Sequence, residues 1–566
     1  MPDFLFELGT EELPPRTLQT LSEALTDGCL QGLKHAGVAH GTAEGFATPR
    51  RLGVRIQECA ENAAERRLER RGPPVAASFD ASGVPTMAAT AFAKSCGVAV
   101  GELGRMQTDK GQWLAFRGTE PGAPTVSLLG GIIGQALAAL PIAKRMRWGA
   151  HAVEFVRPVR GVVLLFGEEV VPVEILGLAS GRQSAGHRFH SPRLVSIRSP
   201  QSYQRQMRRA KVIVDFSERR EATRSGVVAA AREAGGRALI DDTLLDEVTA
   251  LVEWPVAIAG RFEARFLDLP REVVVATIQD HQRYFPVEGV DGRLTGGFVT
   301  VSNIESRNPA TVRDGNERVV RPRLSDAAFF WDQDRKIALA KHAQRLNGMI
   351  FQAKLGSYAD KATRIGDIAL LLAERISVYG EVRRAADLCK ADLMTAMVGE
   401  FPELQGVMGR YYAEAQGEAA DLAVALEEHY RPRFANDAVP VTALGQTLAL
   451  ADRIDTLVAI FAIDQRPTGA KDPFGLRRAA LGVLRILLEG RLDVNLMELL
   501  DHAASIQPVS KAGVAGDVYE FINERFRGLL LERPGTRIEM IDAVLASRPP
   551  SPLDADRRLQ ALQGFL

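Results

Sequence analysis

Apolar positions at the start of the chain run nearly unbroken through FLFELGT (4–10), interrupted by Glu7 and followed by Glu11-Glu12 and Pro14-Pro15. A short apolar run closed by turn residues predicts a buried strand. The double proline fixes φ and suits a first helical turn. Leu18, Leu21 and Leu25 then recur at helical spacing. The opening is therefore expected to be strand, acidic turn and helix. It has neither the basic start nor the long apolar stretch of a signal peptide. The mixed pattern continues to about residue 345. VVLLFG (162–167), VVPVEIL (170–176) and KVIVDF (211–216) read as strands, punctuated by Gly and Pro. From Leu346 the period becomes helical, as in IGDIALLLAERI (365–376), LGQTLALADRIDTLVAIF (444–461) and LRRAALGVLRILLE (476–489). Residues 491–566 read as a further helical piece that ends at GFL in mid-pattern. No fixed-period repeat appears.

Length and charge refine this. A chain of 566 residues is expected to hold about three or four domains. Its 70 Lys+Arg balance 70 Asp+Glu. Between Pro141 and Lys211, however, 13 basic residues face 4 acidic ones, a local net of 13 − 4 = +9. Two readings stay open: a face for phosphates, or arginines paired with carboxylates elsewhere in the fold. Cys29, Cys59, Cys96 and Cys389 are too scattered for a zinc clip or a disulfide scaffold, which suggests a reducing cytoplasm. The apolar stretch SLLGGIIGQALAALPIA (127–143) contains Gln135 and several glycines. It reads as a buried Gly-Ala helix rather than a membrane span.

Several clusters could carry chemistry. PIAKRMRWG (141–149) sets Lys144, Arg145 and Arg147 beside Trp148; the cations suit a nucleic-acid backbone or a helix end, and Trp148 suits the core. GHRFH (186–190) places His187 and His190 around Arg188 in a predicted loop. That arrangement fits phosphate or structural hydrogen bonding better than metal binding. His281 in DHQRYFPV reads as a satisfied polar residue beside a core segment. Asp392, with Asp452 and Asp455 on one helix face, resembles the carboxylates of an HD phosphohydrolase. Ala391 stands where that motif needs histidine, and no upstream histidine is visible. The expectation is a dead hydrolase scaffold without metal. Lys471, Arg477 and Arg478 surround a helix start in PTGAKDPFGLRR. No Walker, GxGxxG or GxSxG pattern occurs anywhere.

Taken in order, FLFELGTEELPP, FATPRRLGV (46–54), LPIAKRMRWG (140–149), FVRPVRGVVLLFG (155–167), GHRFH, LVEWPVAIAGRF (251–262), HQRYFPV, EFPELQGVMGRYYA (400–413) and PTGAKDPFGLRRAALGVLRI (467–486) closely resemble the beta-subunit family of bacterial glycyl-tRNA synthetases. The resemblance implies an α+β multidomain chain. Its segments would be an N-terminal α+β region (1–200), a B3/4-like region (201–345), a degenerate HD-type helical domain (346–490) and the beginning of a helical anticodon-binding domain (491–566). It also implies a cytoplasmic assembly of two alpha and two beta subunits. ATP and Mg2+ would serve the alpha subunit, with no cofactor, metal or catalytic residue on this chain, and tRNA(Gly) would be the nucleic-acid partner. The tRNA-binding candidates are then Arg50, Arg51, Lys144, Arg145, Arg147, His187, Arg188, His190, Lys471, Arg477 and Arg478. Glu11 and Glu12 are expected to be structural or interface carboxylates, pairing with Arg50 or Arg51 or with the alpha subunit. The alternative is an HD-type metal-dependent phosphohydrolase. A third reading, tRNA editing, is less needed on physical grounds, because a site that excludes side chains already selects glycine.

Overall fold

The computed structural model describes residues 1–80, 82–109, 111–150 and 152–565. The chain divides into two compact units, Met1–Arg261 with Arg283–Glu317, and Phe262–Gln282 with Arg318–Leu566.

The first unit is built on an antiparallel five-stranded sheet. Its order is Ala43–Thr48, Arg51–Ile56, Phe4–Thr10, Val159–Phe166 and Glu169–Val170. The opening strand, β1 (Phe4–Thr10), lies at the centre of this sheet. Phe4, Phe6 and Leu8 point to one face, where they pack with Leu18, Leu21 and Leu25 of helix α1 (Leu18–Ala36). Leu5 points to the other face and packs with Phe46, Val163, Tyr203 and Met207. Both faces are covered, which is why β1 reads as an apolar run rather than an alternating one.

The Gly-rich stretch forms the helix Thr125–Ala138 and packs on α1 as a buried element. Small residues set that approach. A Cβ on Gly28 would lie 2.9 Å from Ala136 Cβ, and one on Gly32 would lie 2.5 Å from Ile132 Cγ2. Between α1 and this helix the chain detours through a three-stranded sheet, Arg66–Pro74, Gly111–Glu120 and Gly104–Thr108, with Gly111–Glu120 in the middle. The detour leaves and rejoins at one place, where Ala63 N donates to Ala123 O at 3.0 Å and Thr125 N donates to Glu61 O at 2.8 Å. A four-stranded antiparallel sheet, Arg237–Ala238, Phe285–Glu288, Leu294–Ser302 and Val256–Arg261, completes the unit with the helices Phe216–Glu233 and Asp242–Leu251.

The second unit is almost wholly helical. The helix Ala443–Ala462 is its buried axis and packs against Tyr358–Arg375 and Leu476–Glu489. Residues 491–566 add four helices, from Leu496–Ser505 to Pro552–Phe565. Among the described residues no helix is long and apolar enough to cross a membrane.

Three sequence expectations need correction. Residues 170–176 contribute only the two-residue strands ending at Val170 and Ile175. Residues 211–216 join no ladder. Val212, Ile213 and Val214 are buried, and single bonds hold the segment, from Ile213 N to Glu253 O and from Ala47 N to Val214 O. The helical texture also starts before Leu346, with a helix over Pro309–Asp334.

Replacing Gly28 by Val forces α1 away from Ala136. The expected cost is about 1–3 kcal/mol, read as a lower urea midpoint for the first unit. An unchanged midpoint would show that the two helices do not depend on this close approach.

Candidate functional site

The opening acidic turn is the place to begin. Glu7 alternates with Phe6 and Leu8, so it shares the Leu5 face and is buried, 2% exposed. A buried carboxylate needs hydrogen bonds and a counter-charge. Ser184 Oγ lies 2.7 and 2.8 Å from its two oxygens, the Tyr203 hydroxyl donates to it, and Arg51 Nη1 lies 3.4 Å away. Arg51, also 2% exposed, spends its remaining donors on Thr48 Oγ1, Ser184 Oγ, the Ala185 carbonyl and Glu253 Oε1 at 3.1 Å. Arg50 Nη2 donates to Glu253 Oε2 at 2.6 Å and to the Gly186 carbonyl. Burial pushes the Glu253 carboxyl up, but Arg51 and Arg50 outweigh it and hold the group below its usual range.

Arg51 is therefore a core residue with no donor left for a phosphate, and this corrects its place among the tRNA-binding candidates. Arg50 is pinned in the same network. Glu11 and Glu12 pair with neither. Glu11 meets Arg160 Nη2 at 2.6 Å and Arg188 Nη2 at 3.2 Å, and Glu12 meets Arg188 Nη1 at 3.0 Å. The hydrogen bond from Arg160, foremost, lowers the Glu11 carboxyl below its usual range. The acidic turn thus clamps the basic stretch to the end of β1.

The two loop histidines are structural as well. His187 is fully buried, and its Nε2 lies 2.8 Å from the Asn303 carbonyl, so Nε2 carries the proton. Its Nδ1 accepts from the backbone N–H groups of Phe189 and His190. His190 Nε2 accepts from Glu305 N at 3.0 Å, and burial foremost pushes its pKa down. His187 thus has no N–H left for a phosphate, whereas His190 carries its proton on Nδ1.

The basic stretch divides cleanly. Arg145 reaches back to the Leu137 and Ala138 carbonyls and caps the helix Thr125–Ala138. Arg147 pairs with Glu154, Arg208 with Glu218, and Lys211 with Glu305. Arg157 and Arg182 donate to backbone carbonyls. With Arg160 and Arg188, eight of the 13 cations have partners. The other five, Lys144, Arg193, Arg198, Arg205 and Arg209, are exposed and have no side-chain partner among the described residues. Tyr203 and Met207 face inward on the helix Tyr203–Arg209, which turns Arg205 and Arg209, one turn apart, toward solvent. Arg198 lies next to them, its N–H donated to Gln206. The paired reading therefore holds for eight of these cations, and the other five keep free charge at the surface. Sequence reasoning singled out none of Arg193, Arg198, Arg205 or Arg209; the +9 balance was the available signal. Trp148 packs half-buried against the core.

The second unit holds the HD-like residues. Asp452 and Asp455 sit on Ala443–Ala462 as the sequence spacing predicts, and Asp455 is fully buried. Two buried lysines meet these carboxylates, and Lys361 bridges the pair. Lys361 Nζ lies 2.8 Å from Asp452 Oδ1 and 3.0 Å from Asp455 Oδ2, and Lys390 Nζ lies 2.7 Å from Asp452 Oδ2. Arg364 and Gln507 complete Asp455. Burial alone would push both carboxylates up, but the neighbouring cations hold both below the usual range. Ammonium groups thus supply the positive charge a metal would, and no three His, Cys, Asp or Glu side chains among the described residues are placed to hold an ion. Asp392 accepts the N–H groups of Gly406 and Gly409, and burial pushes it up to about 6. Lys361 and Lys390 were missed in sequence, although Lys361 shares a helical stripe with buried Ile365, Ile368 and Leu372. Lys471 is exposed, Arg477 locks the preceding loop through the Gly469 carbonyl, and Arg478 is exposed without a partner among the described residues.

Two measurements test these assignments. Arg51→Met strands Glu7 and leaves Glu253 half-paired, with an expected loss of about 3–5 kcal/mol in denaturant unfolding. The triple change Glu7→Gln, Arg51→Met and Glu253→Gln recovers much of it. Asp392 sets a pH dependence. Its folded pKa of about 6 exceeds an unfolded value of about 3.9. Between these values the folded chain holds a proton that the unfolded chain releases. This contribution is full below about pH 4 and is lost as pH rises through about 6. Asp392→Asn removes it, so the variant gains up to about 3 kcal/mol on its parent between pH 4 and 7, measured by urea unfolding at each pH.

The model of the glycyl-tRNA synthetase beta-subunit family matches residues 4–546. The glycine–tRNA ligase beta subunit of Marinobacter nauticus is 48% identical, over 100% of this chain and 82% of its own length. Those of Chromohalobacter salexigens and Stutzerimonas stutzeri are each 49% identical, over 99% and 100% of this chain and 82% of theirs. These matches and the lysine-filled site set aside the phosphohydrolase alternative. The chain belongs to the glycyl-tRNA synthetase beta-subunit family.

Proposed function

We propose that this chain is the tRNA-binding subunit of a two-component glycine–tRNA ligase. The observation that carries this reading is the family match over residues 4–546, with relatives near half identity along the whole chain. Those relatives are named beta subunits, so a separate alpha subunit is the first partner, in a cytoplasmic assembly of two alpha and two beta chains. Glycine activation with ATP and Mg2+ belongs to the alpha subunit. This chain binds tRNA(Gly) and supports the transfer, with no catalytic residue, cofactor or metal of its own.

The partnerless cations support a phosphate-binding role for Arg193, Arg198, Arg205, Arg209 and Lys144. Lys471 and Arg478 offer further free charges in the second unit. Arg147 and Arg188 are exposed and ion-paired, and exposed pairs hold so weakly that a phosphate can replace the carboxylate. Neutralising phosphates releases counterions, which makes such binding salt-dependent.

The chain should co-elute with a glycyl-tRNA synthetase alpha subunit at the mass of a mixed assembly, measured by light scattering on a sizing column. The mixture should charge tRNA(Gly) while neither component does so alone. In that assembly Arg205→Ala with Arg209→Ala should weaken tRNA binding about tenfold and flatten the salt dependence by roughly one to two units of slope. Separate peaks and no charging would overturn the reading; normal affinity and slope in the double variant would move the interface off this helix.

A further inference from the structure

Beside the lysine-filled site the second unit has a cavity of about 320 Å3, walled by His429, Tyr430, Arg433, Asp452, Arg453 and Arg478. Its polar groups are unevenly satisfied. His429 is fully buried, and its Nδ1 lies 2.7 Å from the Leu426 carbonyl, so Nδ1 carries the proton and Nε2 is an acceptor. That Nε2 has no partner, and neither does the buried Tyr430 hydroxyl. Asp452 Oδ1, by contrast, is met by the Lys361 ammonium at 2.8 Å. Buried acceptors without donors are rare in folded proteins and ask for a donor from outside.

The charge at this cavity points the other way. The Arg453 guanidinium is used up on the carbonyls of His429, Ala449, Tyr430 and Pro432 and so fixes the wall. Among the described residues Arg478 is exposed and free of ion pairs, and the Arg433 side chain makes a single long bond, 3.4 Å, to the Gln405 carbonyl. Asp452 is already balanced by Lys361 and Lys390. A fitting ligand therefore carries an anion for two arginines and a hydroxyl donor for the buried His429 acceptor, in the volume of a small molecule. Phe474 adds an aromatic wall.

From this combination we infer that the cavity binds a ribonucleoside monophosphate unit, with its phosphate on Arg478 and Arg433 and a ribose hydroxyl donating to His429 Nε2. The unit is bound and not hydrolysed, because lysine ammonium groups take the place of the metal that would activate water. The inference stands apart from the tRNA-binding reading, since a free mononucleotide tests it.

The test is calorimetric titration of the full chain with adenosine 5′-monophosphate, 2′,3′-dideoxyadenosine 5′-monophosphate and inorganic phosphate. One molecule of the ribonucleotide should bind per chain, and the other two probes should bind at least about tenfold more weakly. Arg478→Ala should weaken ribonucleotide binding by about tenfold without moving the thermal unfolding midpoint, since Arg478 holds no partner. His429→Gln should weaken it as well; if that variant does not fold, the dideoxy probe still reports on the hydroxyl contact. Displacement of bound ribonucleotide by a short RNA with a free 3′ end would identify an RNA terminus as the source, and lack of displacement a free nucleotide. No binding at millimolar ribonucleotide, equal binding of the dideoxy form, or full binding by Arg478→Ala would overturn the inference. Such a failure alongside normal tRNA charging leaves the subunit reading intact.

Discussion

A carboxylate inside a sheet governs the architecture of the first unit. Glu7 lies on β1 with both faces covered, so its charge has to be met within the core. Arg51 meets it from the neighbouring strand, and the second end of Arg51 requires Glu253 in turn. Glu253 then draws in Arg50 and Thr48. Thus the five-stranded sheet is joined to the Glu253 segment by charge as well as by packing. Breaking a buried pair costs far more than the pair adds over apolar packing, so the node holds its members together as a set.

The second unit solves a related problem differently. Asp452 and Asp455 lie three residues apart on one helix, and their counter-charges are side chains of the same unit. An ammonium group offers three directed protons where a metal offers exchangeable coordination positions. Carboxylates held this way keep their geometry without an open position for water.

Much of this was legible in sequence, for reasons that differ by element. The opening strand and helix follow from local pattern and proline placement. The helices of the second unit follow from strong 3.6-residue periodicity. KVIVDF misled because β-branched residues favour extended backbone whether or not a partner strand is free; here the segment is buried and extended but bonded singly. The pairing of Arg51 with Glu253 spans 202 residues and leaves no local trace. For His187 phosphate and structural hydrogen bonding stayed open in sequence, because a loop histidine beside arginine has the same composition whether it faces solvent or a carbonyl. Lys361 was the readable miss: a charged residue on an apolar helical stripe either breaks the core or is paired within it.

The three-stranded detour between Glu61 and Thr125 has a topological consequence. Its two ends are tied side by side by backbone hydrogen bonds, and Gly122 passes so near Ala63 that no side chain fits there. The detour is a closed loop hung on one knot, and its strands pair only with each other. The main sheet and its two covering helices do not need it for their own connectivity. Shortening the chain to a turn at that knot would leave the register of every strand in the main sheet unchanged. Exchange, enlargement or loss of this module is therefore a topological freedom built into the first unit.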